Sequence, residues 1–158
     1  MQFYDEAGIP MKPVGHISVL PRMRVHLVIS RRVNSESPKL LFLIARESPF
    51  LILPGGVPEL GKDVVCRSGE QLTAEQIGCQ VHAHDQPICV IEQGEYTHVP
   101  RQFYHSAVLI YGADLKGEPW KPREGDGLPE QVWIGLHHID QMMGEIHPMF
   151  RDVGTMLA

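Results

Sequence analysis

Three residues, Pro54-Gly55-Gly56, join the apolar run FLIL (Phe50 to Leu53) to a helix-compatible stretch that closes near Gly78. Glycine tolerates positive φ and lets two backbones approach closely, so a strand can stop here and a helix begin within a few residues. A helix that follows a strand this tightly needs a sheet to cover, which places the chain among the layered folds of mixed secondary structure. Asp63 is a candidate N-cap, and Gly78 suits a left-handed C-terminal cap. Between them Val65, Ser68, Gly69, Leu72 and Gln76 recur at spacings of three and four, forming a weak apolar stripe. Gly69 in the helix interior costs roughly 1 kcal/mol against alanine, so either close packing uses it or the helix merely tolerates it.

The flanking sequence supplies the sheet. MRVHLVISRR (Met23 to Arg32) and KLLFLIARE (Lys39 to Glu47) are β-rich runs either side of a polar turn and predict a hairpin. After Gly78, the segments QVHAH, ICVIEQ and FYHSAVLIYG read as strands, with His105 to Gly112 the most apolar and central. The stretch Ala113 to Gln131, rich in glycine, proline and charge, predicts a long loop before the strand VWIGL. From His138 onward Ile139, Met142, Met143 and Ile146 share a helical face, and Pro148 starts a second short helix carrying Phe150, Val153 and Leu157. Residues 1–22 hold Gly8, Pro10, Pro13, Gly15 and Pro21, which predict an irregular lead-in that packs on the domain or mediates self-association, leaving a homodimer open. Residues 23–158 then form a single domain, an α/β/α sandwich around a mixed β-sheet.

Composition narrows the partners. A chain of 158 residues, 43% hydrophobic and 21% charged, is ordinary for one globular domain. Its formal charge of −5 argues against a nucleic acid polymer, which is gripped by accumulated Lys and Arg. A small anionic nucleotide stays open because local arginines decide that, and Arg31, Arg32, Arg46 and Arg101 are the candidates. Cys66, Cys79 and Cys89 show neither a CxxC nor a matching Cys/His frame, so no disulfide scaffold or structural zinc is expected. No apolar run approaches ~18 residues, and no cationic leader precedes one. The expectation is a protein of the reducing cytoplasm with no membrane partner.

The segment LPGGVPELGKDVVCRSGEQLTAEQIGC, Leu53 to Cys79, resembles the Nudix box, G-x5-E-x7-R-E-U-x-E-E-x-G-U with U aliphatic. The resemblance covers about residues 24–157 in layout, although its specific part is short. It implies a Nudix-type sandwich and a loop-helix-loop that holds Mg2+ through helical glutamates. Relatives of this kind hydrolyse a nucleoside diphosphate linked to another moiety. Counting from Gly56 without a gap puts Lys62 at the first glutamate, Glu70 at the arginine, Gln71 at the next glutamate, and Ala74 and Glu75 at the acidic pair. The glycine then arrives one residue late, as Gly78. A gap before Ala74 would align Gly78 but puts Glu75 and Gln76 at the acidic pair. We place the extra residue at the helix end, because positions i, i+3 and i+4 project from one helical face and can converge on a cation.

On either count the box keeps a single helical carboxylate. Mg2+ wants several hard oxygens; Gln71 offers a neutral amide, Ala74 offers nothing, and Glu75 alone is charged. Glu75 is therefore the candidate catalytic and metal residue, with Gln71 as second ligand and Mg2+ or Mn2+ as cofactor if the chain is active, and none otherwise. Lys62 and Glu70 exchange the family's charges, either as an ion pair or as two solvated residues. The resemblance makes Gly55, Gly56, Arg46, Arg101 and Tyr104 the substrate-binding candidates. Arg46 precedes LPGG, where many family members carry a cleft arginine that can grip phosphate. Arg101 and Tyr104 belong to the run Glu92 to His105, read as a loop whose aromatic rings can stack a base. Two functions remain: a hydrolase with an altered metal arrangement, or a noncatalytic nucleotide-binding or interaction domain. His82 and His84 alternate on one strand face without a third ligand, and His137 and His138 point oppositely, so neither pair predicts a metal.

Overall fold

A computed structural model describes residues 1–32, 34, 36–44, 48–59, 61, 64–123 and 125–153. Arg46, Lys62, Asp63 and Leu157 lie outside these residues. The strands are β1 (Phe3–Tyr4), β2 (Pro10–Met11), β3 (Val19–Arg31), β4 (Lys39–Ile44), β5 (Leu51–Ile52), β6 (Gly55–Gly56), β7 (Val81–Thr97), β8 (Gln102–Leu115) and β9 (Glu130–Gly135), and the α-helix α1 spans Val65–Ile77. The sheet runs β2-β1-β7-β8-β3-β4-β5, with β6 on β3 and β9 on β4. It is mixed: β3 and β8 are parallel from Val19↔Phe103 to Ile29↔Ala113, whereas β7 and β8 are antiparallel.

Both faces are covered, so the central strands read as nearly continuous apolar runs. Val25, Leu27 and Ile29 of β3 and Leu41 and Leu43 of β4 point to the side where Ile77 of α1 packs. Val28, Leu40, Phe42, Val108 and Ile110 point to the other, beneath Ile139, Ile146, Met149, Phe150 and Val153. The layers are helix, sheet, helix, as the sequence predicts. The C-terminal cover is tighter than expected: Leu136–Glu145 is a 3-10 helix, and the short helix that Pro148 starts opens as a 3-10 turn, Pro148–Phe150, before running into α-helical residues 151–153. Ile139 and Ile146 still reach the core, with Met142 and Met143 packed at its margin.

The segment Glu92 to His105 is not a loop. β7 runs unbroken to Thr97, β8 begins at Gln102, and only His98 to Arg101 turn between them, with Glu95 paired opposite Tyr104. Glycine and proline in the sequence suggested a break. Tertiary pairing overrode that propensity, and QVHAH and ICVIEQ merge into the same long strand with irregular register between Ala83 and Cys89. Within the first 22 residues, β1 pairs with β2 and lies parallel to β7, so Phe3 packs with Tyr96 and Phe103 in a small third cluster.

Candidate functional site

Everything converges on the Gly55–Gly56 turn. Gly55 pairs with His26 of β3 and has φ of +127°, and a Cβ there would stand 2.1 Å from the Val25 carbonyl oxygen. Only glycine fits such a contact. The turn is tied to α1 by Gln76. Its side-chain oxygen accepts from the Gly55 amide at 2.8 Å and its side-chain nitrogen donates to the Gly55 carbonyl at 2.9 Å.

The helix begins at Val65 after Val64, which caps it with no side chain, and ends where Gly78 turns left-handed (φ 65°) and its amide returns to the Ala74 carbonyl at 2.9 Å. The buried face is Gly69, Thr73 and Ile77. The packing explains Gly69: a Cβ there would meet Val25 Cγ2 at 2.7 Å. The opposite face turns Ser68, Gln71, Leu72 and Glu75 to a cleft of about 250 Å3, closed by Val57, Pro58 and Glu59. Gln71 and Glu75 thus share one hollow, both exposed, and Glu59 is a carboxylate the sequence reading missed. Glu70 turns away from this cleft. Its carboxylate accepts from Arg67 at 2.6 Å and from the Ala83 amide at 3.0 Å, binding α1 to β7 as a half-buried structural group.

The donor set fits a divalent cation poorly. The cleft offers two exposed carboxylates and one amide, and no group of three His, Cys, Asp or Glu that could hold a metal occurs among the described residues. Magnesium, which keeps near-octahedral oxygen geometry, finds no protein cage here.

Across the turn lies a different environment. A cavity of about 340 Å3 is floored by Arg22, Arg24 and His26 of β3 and Glu95 of β7, with Gly55 at one edge and Asp5, His147 and Phe150 on the walls. Strand alternation puts residues 22, 24 and 26 on one face. Glu95, 7% exposed, takes Arg24 Nε at 2.7 Å and Arg22 Nη2 at 3.1 Å on one oxygen and the Ser106 hydroxyl on the other. Burial pushes its carboxyl up, but Arg24, Arg22 and Ser106 together hold it below the usual carboxylate range. Burial also lowers Arg24, against the pull of Glu95, and both groups stay charged within a low-dielectric cluster.

His26 is 2% exposed, and burial, reinforced by the Arg24 charge, pushes its imidazole down to about 3. The ring is neutral. Its Nδ1 donates to the Leu53 carbonyl at 3.0 Å, which leaves a lone pair on Nε2, an atom without a protein partner among the described residues. His147 is likewise held down by burial, its Nδ1 accepting from the Met149 amide at 3.1 Å. Asp5 carries the N-terminal segment into the wall, accepting from the Ala7 and Ile9 amides and pairing with His98 at 3.0 Å.

Of the sequence candidates, the structure brings Gly55 to the cavity and Gln71 and Glu75 to the cleft. Gly56 continues the turn in register with Val25. Tyr104 lies on β8 beneath the Arg22 guanidinium, 3.8 Å from ring centre to cation, and so supports the cavity floor. Arg101 is exposed in the β7–β8 turn, with its Nε 3.4 Å from the Tyr96 hydroxyl, apart from both hollows. The residues missed were Arg22, Arg24 and His26. A signal existed: polar residues alternate with apolar ones in PRMRVHLV, the period of a strand with one polar face.

No family model matches the chain, and no curated protein matches its sequence. Solved structures do. The chain superposes on a MutT protein from Methanosarcina mazei Go1 with a TM-score of 0.65 at 15% identity, covering 89% of this chain and 95% of that one. A possible asymmetric diadenosine tetraphosphate hydrolase from Jonesia denitrificans gives 0.63 at 19% identity, covering 86% and 91%. A UDP-X diphosphatase gives 0.54 at 15% identity over 76% of this chain, which spans about half (53%) of that protein's length. The chain has the Nudix fold.

Proposed function

We propose that this chain binds a small nucleoside-diphosphate-type ligand at the Gly55 turn and that its metal-assisted hydrolysis is severely weakened. The observation that carries this reading is the asymmetry of the turn. One side holds a cavity of about 340 Å3 in which two guanidiniums meet a single buried carboxylate, and the other holds a smaller cleft whose helix contributes one exposed carboxylate, Glu75. Arginine recognises phosphate or carbonyl oxygen through several directed N–H groups. Gln71 and Glu75 line the cleft on the helix side of the turn, and Gly55 brings its backbone to the edge of the arginine-bearing cavity, with Gly56 next to it.

A second reading keeps turnover, and it rests on Glu59. This carboxylate shares the cleft with Glu75 and Gln71, so a ligand's own phosphate oxygens could complete an altered set for Mg2+ or Mn2+. A panel of nucleoside diphosphates and their conjugates separates the two readings, measured by thermal shift and by product release with Mg2+ or Mn2+, for the wild type and Glu75→Gln. Stabilisation without turnover is the expected result. Metal-dependent turnover abolished by Glu75→Gln would instead establish the enzyme, and no response of either kind would discard nucleotide binding. The described cysteines are free thiols, which supports a reducing compartment such as the cytoplasm. No described helix is long and apolar enough to cross a membrane.

A further inference from the structure

We infer that the side-chain amide of Gln76 does the work of a cation at the box, closing the turn onto the helix with an N–H group where a divalent ion would otherwise bridge two oxygens. The inference rests on reading α1 as the box helix and deepens it, by assigning a residue that locks the junction without metal.

The contact is two-sided. Gly55 presents an amide N–H and a carbonyl to the end of α1, and Gln76 answers both, at 2.8 and 2.9 Å. A primary amide is the side-chain group that offers an acceptor and a donor together, whereas an ionised carboxylate only accepts. The orientation of the amide is therefore fixed by its partner, since the reverse would set N–H against N–H and oxygen against oxygen. Gly55 cannot turn its carbonyl away, because it is buried, paired with His26 at φ of +127°, and packed against the Val25 carbonyl.

Helix register agrees. The helix is unbroken from Val65 to Ile77, and its core-facing residues include Thr73. The burial of Thr73 and the left-handed Gly78 reverse the alignment expected from the sequence: with the extra residue ahead of the helix and not at its end, the pattern's aliphatic positions fall on Thr73 and Cys79, both buried, and its glycine on Gly78. Its acidic pair then falls on Glu75 and Gln76. An ionised glutamate at 76 would still accept from the Gly55 amide, but its second oxygen would face the Gly55 carbonyl, and near neutral pH a cation between them would relieve that repulsion. Glutamine removes both the charge and the need for the ion.

The test uses the full chain without nucleotide, with Mg2+ or Mn2+ alone as probe, reading the thermal midpoint and Mn2+ binding. The wild type should bind neither metal and show no shift. Gln76→Glu should lose about 2–4 °C or more in chelator and regain it with millimolar metal. Gln76→Ala should lose a similar amount and regain nothing. A wild type stabilised by metal overturns the inference, and so does a Gln76→Glu protein that gains nothing from metal or folds at no metal concentration. A wild type that fails to bind nucleotide while these variants behave as stated breaks the functional reading and leaves this one intact.

Discussion

The two sides of the Gly55 turn are built from similar residue types and could hardly be more different. On the cavity side, Glu95, Arg24, Arg22 and Ser106 form a buried cluster in which every oxygen of the carboxylate is engaged. On the helix side, Gln71 and Glu75 are exposed side chains lining a smaller cleft. Burial amplifies electrostatics and fixes geometry, whereas exposure screens and loosens it. The contrast teaches how burial orders one side of the turn and not the other: a buried charge cluster with fixed geometry stands beside exposed, sparsely charged side chains, and Gln76 joins the two without charge.

That comparison can be broken most forcefully at Glu95. Replacing Glu95 with alanine leaves two guanidiniums largely buried without their shared partner, and removal of one member of such a cluster costs about 3–5 kcal/mol. Urea unfolding of Glu95→Ala should show a loss of this order. A change below about 1 kcal/mol would mean that the cluster is no more consequential than a surface pair.

Acid should sharpen the contrast next. His26 ordinarily titrates near 6.5 and is held at about 3 in the fold. Above the ordinary value both folded and unfolded forms are neutral, so the shift has no effect. As pH falls from 6.5 toward 3 the unfolded chain takes up a proton that the folded chain refuses, and stability falls. His147, lowered for the same reason, acts in the same direction, and Glu95 adds its own loss as pH drops through its depressed folded value. The unfolding free energy of His26→Asn, whose amide can still donate to Leu53, should vary less steeply over this window than that of the wild type. Parallel pH profiles would show that His26 is not the neutral buried group described.

The smallest effect belongs to the helix side. Glu75→Gln, at an exposed position, should alter folding stability by no more than about 0.5 kcal/mol and leave ligand affinity within about threefold. A large loss in either, by urea unfolding or ligand titration, would mean that the cleft is as organised as the cavity.

Much of the architecture was legible because it is written in short-range patterns. The Pro54-Gly55-Gly56 turn, the helix ending at Gly78, the strand runs either side and the retention of one carboxylate at the three acidic positions of the box helix all follow from short spacings along the chain. The loop expected from Glu92 to His105 failed because Gly94 and Pro100 mark a break only when no neighbour supplies a ladder, and here β8 pairs β7 and β1 lies along its other edge. Arg101 and Tyr104 were chosen for their chemistry, but pairing sent one to an exposed turn and the other beneath Arg22.

By itself, then, the sequence determined the order of elements and the depletion of acid in the box helix, since both depend on residues close along the chain. Only the tertiary structure decided that Arg24 meets Glu95 across 71 positions, that His26 sits neutral under Phe150, and that Gln76 closes on Gly55. Those contacts are products of strand register and helix packing, and burial then gives ordinary side chains the pKa values, orientations and partners that no local pattern encodes.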